Sequence, residues 1–112
     1  MHLDVTAEML LSDLEYTKTD TTISQMEGII KNTNGFDKFA KHIISLNNNL
    51  KHMKAYIAMS NSENLLKIKC EKDDAPEILE EFHEAIAKWS NKYHVEVEKL
   101  PNKEVYYIKG IN

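Results

Sequence analysis

Phe36, Phe39, Ile43, Leu46, Leu50, Met53 and Ile57 follow one another at spacings of 3, 4, 3, 4, 3 and 4. That is an unbroken a/d seam over three heptads, and it predicts one long amphipathic helix over Phe36–Ser60. Ala40 and Ile44 widen its apolar stripe in the first half. Gly35, after Asn32-Thr33-Asn34, supplies a stop for a preceding helix and a tight turn. Upstream, Ile23, Met26, Ile29 and Ile30 make a weaker helical stripe, with Thr22 and Gln25 at capping-box spacing. Met9, Leu10, Leu11 and Leu14 predict a short first helix from about Thr6. The polar stretch Thr17–Thr22 either separates the two or forms the middle of one continuous helix. The pattern to residue 60 thus reads as an antiparallel helical hairpin.

Beyond residue 60 the pattern changes. Leu66, Ile68 and Cys70 alternate with Lys67, Lys69 and Glu71, the mark of a half-buried strand. A helix follows from the segment Lys72–Glu77, with Asp74 as cap, Pro76 in the first turn and Glu77 at the capping-box position. Ile78, Phe82, Ala85, Ile86, Trp89 and Tyr93 line one face of that helix. Val95 and Val97 alternate with glutamates in a second strand. The turn Leu100–Lys103 leads to a third strand, Val105–Ile111, whose Tyr106 and Tyr107 point to opposite faces.

These elements predict an α+β fold: an N-terminal antiparallel helical hairpin, then a β-α-β-β unit forming a small three-stranded mixed sheet. A right-handed crossover leaves a gap between the first two strands that the third fills. The arrangement resembles half of a ferredoxin-like sheet, a likeness of topology that carries no function. At 112 residues the chain reads as a single domain, 1–112, with the hairpin in 1–60 and the β-α-β-β unit in 61–112.

Composition narrows the classes. The hydrophobic share is 42% and the charged share 29%, values that support a folded core. No run of about 18 apolar residues predicts a membrane span. The start Met1-His2-Leu3-Asp4 shows no basic, then apolar, leader pattern. Cys70 is the only cysteine, which excludes an internal disulfide and fits a reducing, cytoplasmic setting. All 14 cationic side chains are lysines and the net charge is −4. Arginine's planar fork is therefore missing, which disfavours nucleic acid as a partner.

Candidate chemistry is sparse. Cys70 alternates with Leu66 and Ile68, so it reads as a buried apolar group rather than a nucleophile. Three glycines offer no phosphate-cradling loop, and no serine sits in a nucleophile-elbow setting. Glu80 and His83 form a Glu-x-x-His pair, but the second pair that a carboxylate-bridged metal site needs is missing. Neither His2, His42, His52, His83 nor His94 has another histidine at ligand spacing, so no metal or other cofactor is expected.

The leading functional expectation is a non-enzymatic interaction or regulatory module, a homodimer or an adaptor for a protein partner. Its interface candidates are Phe39, Ile43, Leu46, Leu50, Met53 and Ile57, which serve equally as an internal seam against the first helix. An unpaired sheet edge offers a second route to symmetric pairing. The basic helix with Lys38, Lys41, Lys51 and Lys54 and the acidic face Glu77, Glu80, Glu81 and Glu84 would steer a homotypic contact. The alternative is a small-ligand-binding domain or enzyme with its site between sheet and helices, lined by His83, Trp89, His94 and Tyr107. The third is an RNA-binding sheet platform that stacks a base on Tyr106 or Tyr107 beside Lys67, Lys69 and Lys109.

Overall fold

A computed structural model of the chain describes residues 6–71 and 75–111. The elements run α1 (Ala7–Asp13), α2 (Asp20–Asn32), α3 (Phe36–Leu50), a 3-10 turn (Lys51–Met53), β1 (Ala55–Met59), β2 (Leu66–Cys70), α4 (Pro76–Tyr93), β3 (Val95–Lys99) and β4 (Val105–Ile111). The fold is α+β, with the four strands in the order β1-β2-β4-β3. Every neighbouring pair is antiparallel. The expected three-stranded mixed sheet is therefore corrected to a four-stranded antiparallel one. The half ferredoxin-like arrangement gives way to a sheet with an added edge strand.

That added strand comes from the end of the predicted long helix. α3 stops at Leu50, and Lys54 adopts a left-handed conformation with φ 58° that turns the chain into β1. No glycine or proline marks the break, so the seam spacing runs through it: Met53 and Ile57 keep helical register while Ile57 belongs to a strand. The described residues up to 60 consequently hold three α-helices, a 3-10 turn and a strand rather than a helical hairpin.

The first two helices are separate, and each has a threonine cap. The Thr6 hydroxyl accepts the Met9 amide in α1. In α2, Thr19 and Thr22 cap reciprocally, three residues before the expected Thr22–Gln25 box. In α4, Ala75 occupies the cap position without a side-chain bond and Pro76 opens the helix. The expected cap, Asp74, lies outside the described residues.

One face of the sheet and the helices enclose the core. Leu66, Ile68, Ile57 and Ile108 point inward from the strands to meet Leu10, Ile29, Phe39, Ile43 and Phe82 from the helices. Cys70 is buried with them, as its alternation predicts. Two closures shape the sheet's rim. The Ile57 amide donates to buried Asn47 Oδ1 at 3.0 Å and the Met59 amide to the Tyr16 hydroxyl at 2.9 Å. Both bonds cap β1's outer edge, so a strand added there would have to displace them. At the other end of the sheet, β4 shifts register against β3, with Glu96 opposite Gly110 and Val97 opposite Ile108. The Ile111 amide then donates to the Asn34 carbonyl at 2.8 Å, and Asn34 Nδ2 to the Ile111 carbonyl at 3.0 Å. This bulge ties the α2–α3 turn to the sheet. Among the described residues no helix is long and apolar enough to cross a membrane.

Candidate functional site

Among the described residues no helix covers the second face of the sheet. Register places Ala58, Lys67, Tyr107 and Glu98 in one row across it, and Tyr56, Lys69 and Val105 in the next. Lys69 and Glu98 are exposed, while Tyr56, Lys67 and Tyr107 are half-buried. A trough of about 640 Å³ runs over this face along β2 and β4. Ser60, Asn61 and Ser62 of the β1–β2 turn wall one end; Leu100, Asn102, Lys103 and Glu104 of the β3–β4 turn wall the other.

Each wall has a local reason for its place. In the β1–β2 turn the amides of Ser62 and Glu63 donate to Ser60 Oγ at 3.3 and 3.2 Å. Amide side chains then fix the turn to α2. Asn64 Nδ2 donates to the Gly28 carbonyl at 3.1 Å, and Asn32 Nδ2 to the Asn64 carbonyl at 2.9 Å. Gln25 Nε2 reaches the Ser60 carbonyl at 3.3 Å. In the β3–β4 turn Asn102 takes the left-handed position, φ 61°, and the Leu100 amide closes on the Val105 carbonyl at 2.9 Å.

Three lysines line the trough. Lys67 and Lys69 stand two residues apart on one strand face, and Lys103 adds a third ammonium from the turn. Glu104 lines the same trough, but its buried Oε2 faces His83 Nε2 at 2.7 Å. His83 Nδ1 in turn meets the Tyr106 hydroxyl at 2.6 Å. His83 Nδ1 and the Tyr106 hydroxyl thus share a hydrogen bond, while Nε2 stands within ion-pair distance of the Glu104 carboxylate. A carboxylate–imidazole–hydroxyl chain has the form of a nucleophile relay. Here, however, burial and then the Glu104 charge raise the Tyr106 pKa, which keeps the phenol protonated. The chain therefore serves as a tie between α4 and the β3–β4 turn, and it engages the carboxylate that lines the trough.

Tyr107 lies on the opposite face from Tyr106, as the alternation predicts, and behaves in the opposite way. Its hydroxyl accepts from Ser60 Oγ at 3.4 Å and shares a hydrogen bond with Ser62 Oγ at 3.0 Å. Those bonds, to Ser60 first, lower its pKa below the ordinary phenol value. Tyr107 is expected to ionise before Tyr106 in a titration of phenolate absorbance. Tyr107→Phe then removes the early step, Tyr106→Phe the late one, and Ser62→Ala moves the early step upward. The same order in all three variants would disprove the assignment.

The structure disperses the expected ligand-lining set. Tyr107 lies in the trough, His83 in the tie, and exposed His94 takes the left-handed position at the end of α4. Trp89 is 7% exposed; its indole N–H donates to the His42 carbonyl at 3.0 Å and its ring meets Phe39 edge-on. The trough that holds Tyr107 lies over the sheet's open face rather than between sheet and helices. The six seam residues, Phe39, Ile43, Leu46, Leu50, Met53 and Ile57, are all buried within the single chain, at 0–6% exposure. Their packing is internal, and a partner reaching them would have to open the core.

Ser60, Ser62 and Lys103 join the site without having been picked out in the sequence, and Tyr56 shares the open face without lining the trough. Tyr56 and Ser60 fall within the segment that spacing assigned to the helix. Among the described residues no group of three His, Cys, Asp or Glu side chains is placed to hold a metal ion. No protein-family model matches the chain, and no curated protein or solved structure matches it.

Proposed function

We propose that the chain is a binding module whose open sheet face takes a small phosphorylated ligand carrying a flat ring, of the mononucleotide class. The observation that carries this reading is the trough itself, which Lys67, Lys69, Lys103 and Tyr107 all line. Three lysines against one lining carboxylate, itself engaged by His83, favour an anion. A tyrosine ring among them offers a stacking surface for a base. The volume of about 640 Å³ suits a ligand of nucleotide size, and turns at both ends limit its length.

Length and charge separate this reading from an RNA platform. Tyr56 and Tyr107 share the open face, which favours two stacked bases. Against this, Glu98 stands on that face beside Tyr107, and the chain carries a net −4 with no arginine. A long polyanion is repelled where a single phosphate is not.

The test is the thermal unfolding of the full chain with inorganic phosphate, adenosine, adenosine 5′-monophosphate or a short oligouridine. The monophosphate is expected to stabilise it most, by about 2.7 kcal/mol at a hundredfold excess over Kd. Lys67→Glu with Lys69→Glu is expected to weaken that binding roughly 100-fold, because two charge-assisted contacts become repulsive. Equal response of the variant and the native chain removes the trough as the site. Tighter binding of the oligonucleotide than of the monophosphate makes the RNA reading the correct one.

A further inference from the structure

We infer that the chain pairs with a second copy of itself through α4, the two helices lying antiparallel across a two-fold axis near Ala85. The stripe of α4 beside α3 reads Glu77, Glu81, Ala85, Lys88 and Lys92, at spacings of 4, 4, 3 and 4. Ala85, Lys88 and Lys92 line a shallow groove of about 260 Å³ between the two helices, floored by Trp89. The four charged residues are exposed and Ala85 is half-buried. None of the four charges makes an ion pair among the described residues.

The order of these charges is self-complementary in one orientation only. Antiparallel pairing sets Glu77 against Lys92 of the second copy and Glu81 against its Lys88, and the symmetry repeats both pairs. Parallel pairing sets like against like. Ala85, a small residue at the centre of the stripe, lets the two helix backbones approach closely at the axis. The cations gather at the C-terminal end of the stripe, beside Lys41 of α3. Lys92 sits 5.4 Å from the Tyr93 ring centre, and Tyr93 stacks on His42 at 3.8 Å. Burial, then Lys41 and Lys92, lower the His42 pKa, as expected where positive charge accumulates.

The remaining surfaces fit a second copy less well. Asn47 and Tyr16 already cap β1's edge. On β3, self-pairing about Val97 would place exposed Glu96 opposite exposed Glu98, which like charges oppose. The α4 contact leaves the sheet's open face accessible, so it stands or falls independently of ligand binding.

The experiment is light scattering of the full chain over a range of concentrations, on two charge-reversed variants and their mixture. The native chain is expected at twice its 13.0 kDa mass. Lys88→Glu with Lys92→Glu makes the stripe wholly acidic, and Glu77→Lys with Glu81→Lys makes it wholly basic. Each variant is expected to self-associate about 100-fold more weakly, with unchanged circular dichroism because the altered residues are exposed. Mixing the two restores a dimer, since every cross pair is again attractive. A native chain that stays at 13.0 kDa at all concentrations overturns the inference, as does a dimer that neither variant weakens.

Discussion

Leu50→Asp is expected to abolish the folded state rather than separate folded subunits. Leu50 is 0% exposed, at the end of α3, within the cluster that joins the helices to the sheet. Truncating such a leucine costs about 2–5 kcal/mol through lost burial and the cavity left behind. Placing a carboxylate there adds the cost of a buried charge without a partner. The sum approaches the whole stability of a small domain, about 5–15 kcal/mol. Far-UV circular dichroism and urea titration read the outcome. A native spectrum with a halved molecular mass would mean instead that the seam joins two chains.

Gly110→Ala is the second large effect. Gly110 sits at φ 123°, a conformation that side chains rarely adopt. An added Cβ would lie 2.7 Å from the Asn34 carbonyl oxygen and 2.8 Å from its amide nitrogen. Both are backbone atoms, so no rotamer change relieves the contact. Strain and clash together are expected to cost about 2–4 kcal/mol. The loss should be local first: the Ile111 amide, which bonds the Asn34 carbonyl at 2.8 Å, exchanges faster with solvent than the β2 amides do. Unchanged urea stability would show that the α2–α3 turn does not hold the sheet's end.

The two positions differ in what sequence reveals. Leu50 belongs to a spacing that any reading of period finds, and its burial follows from that spacing. The bulge at Gly110 depends on the approach of Asn34, which is 76 residues away in sequence and leaves no local mark. The same contrast explains the fold. The strands β2, β3 and β4 and the helix α4 are legible because their alternation or stripe has one period throughout. β1 is not legible, since Ile57 satisfies both a heptad and an alternating pattern and the break at Lys54 uses a residue seldom found at positive φ.

The site was half legible for the same reason. Alternation singles out Lys67, Lys69 and Lys109 beside Tyr106 or Tyr107 without saying which tyrosine shares their face. Tyr56 lay hidden with β1, and the serines of the β1–β2 turn acquire meaning only when Tyr107 is brought to them from β4. His83 shows the reverse. It was paired with Glu80 by helical spacing, whereas the structure gives it Glu104 and Tyr106 from another element. A local spacing predicts which groups share a face; tertiary packing decides which partner a titratable group meets.

The trough reading also explains why the lysines of β2 leave this face solvated. Apolar residues there would complete a second hydrophobic layer and invite another element or another sheet. Lysines at 67 and 69 prevent that while keeping the face attractive to an anion.

The most direct test of that reading is a nitrogen-15 amide spectrum of the full chain titrated with adenosine 5′-monophosphate. The amides of Ser62, Lys67, Lys69 and Tyr107 are expected to shift together and saturate, while those of α1 and α2 stay in place. Shifts that gather on the helical layer, or that scatter without saturating, would contradict the assignment of the open sheet face as the binding site.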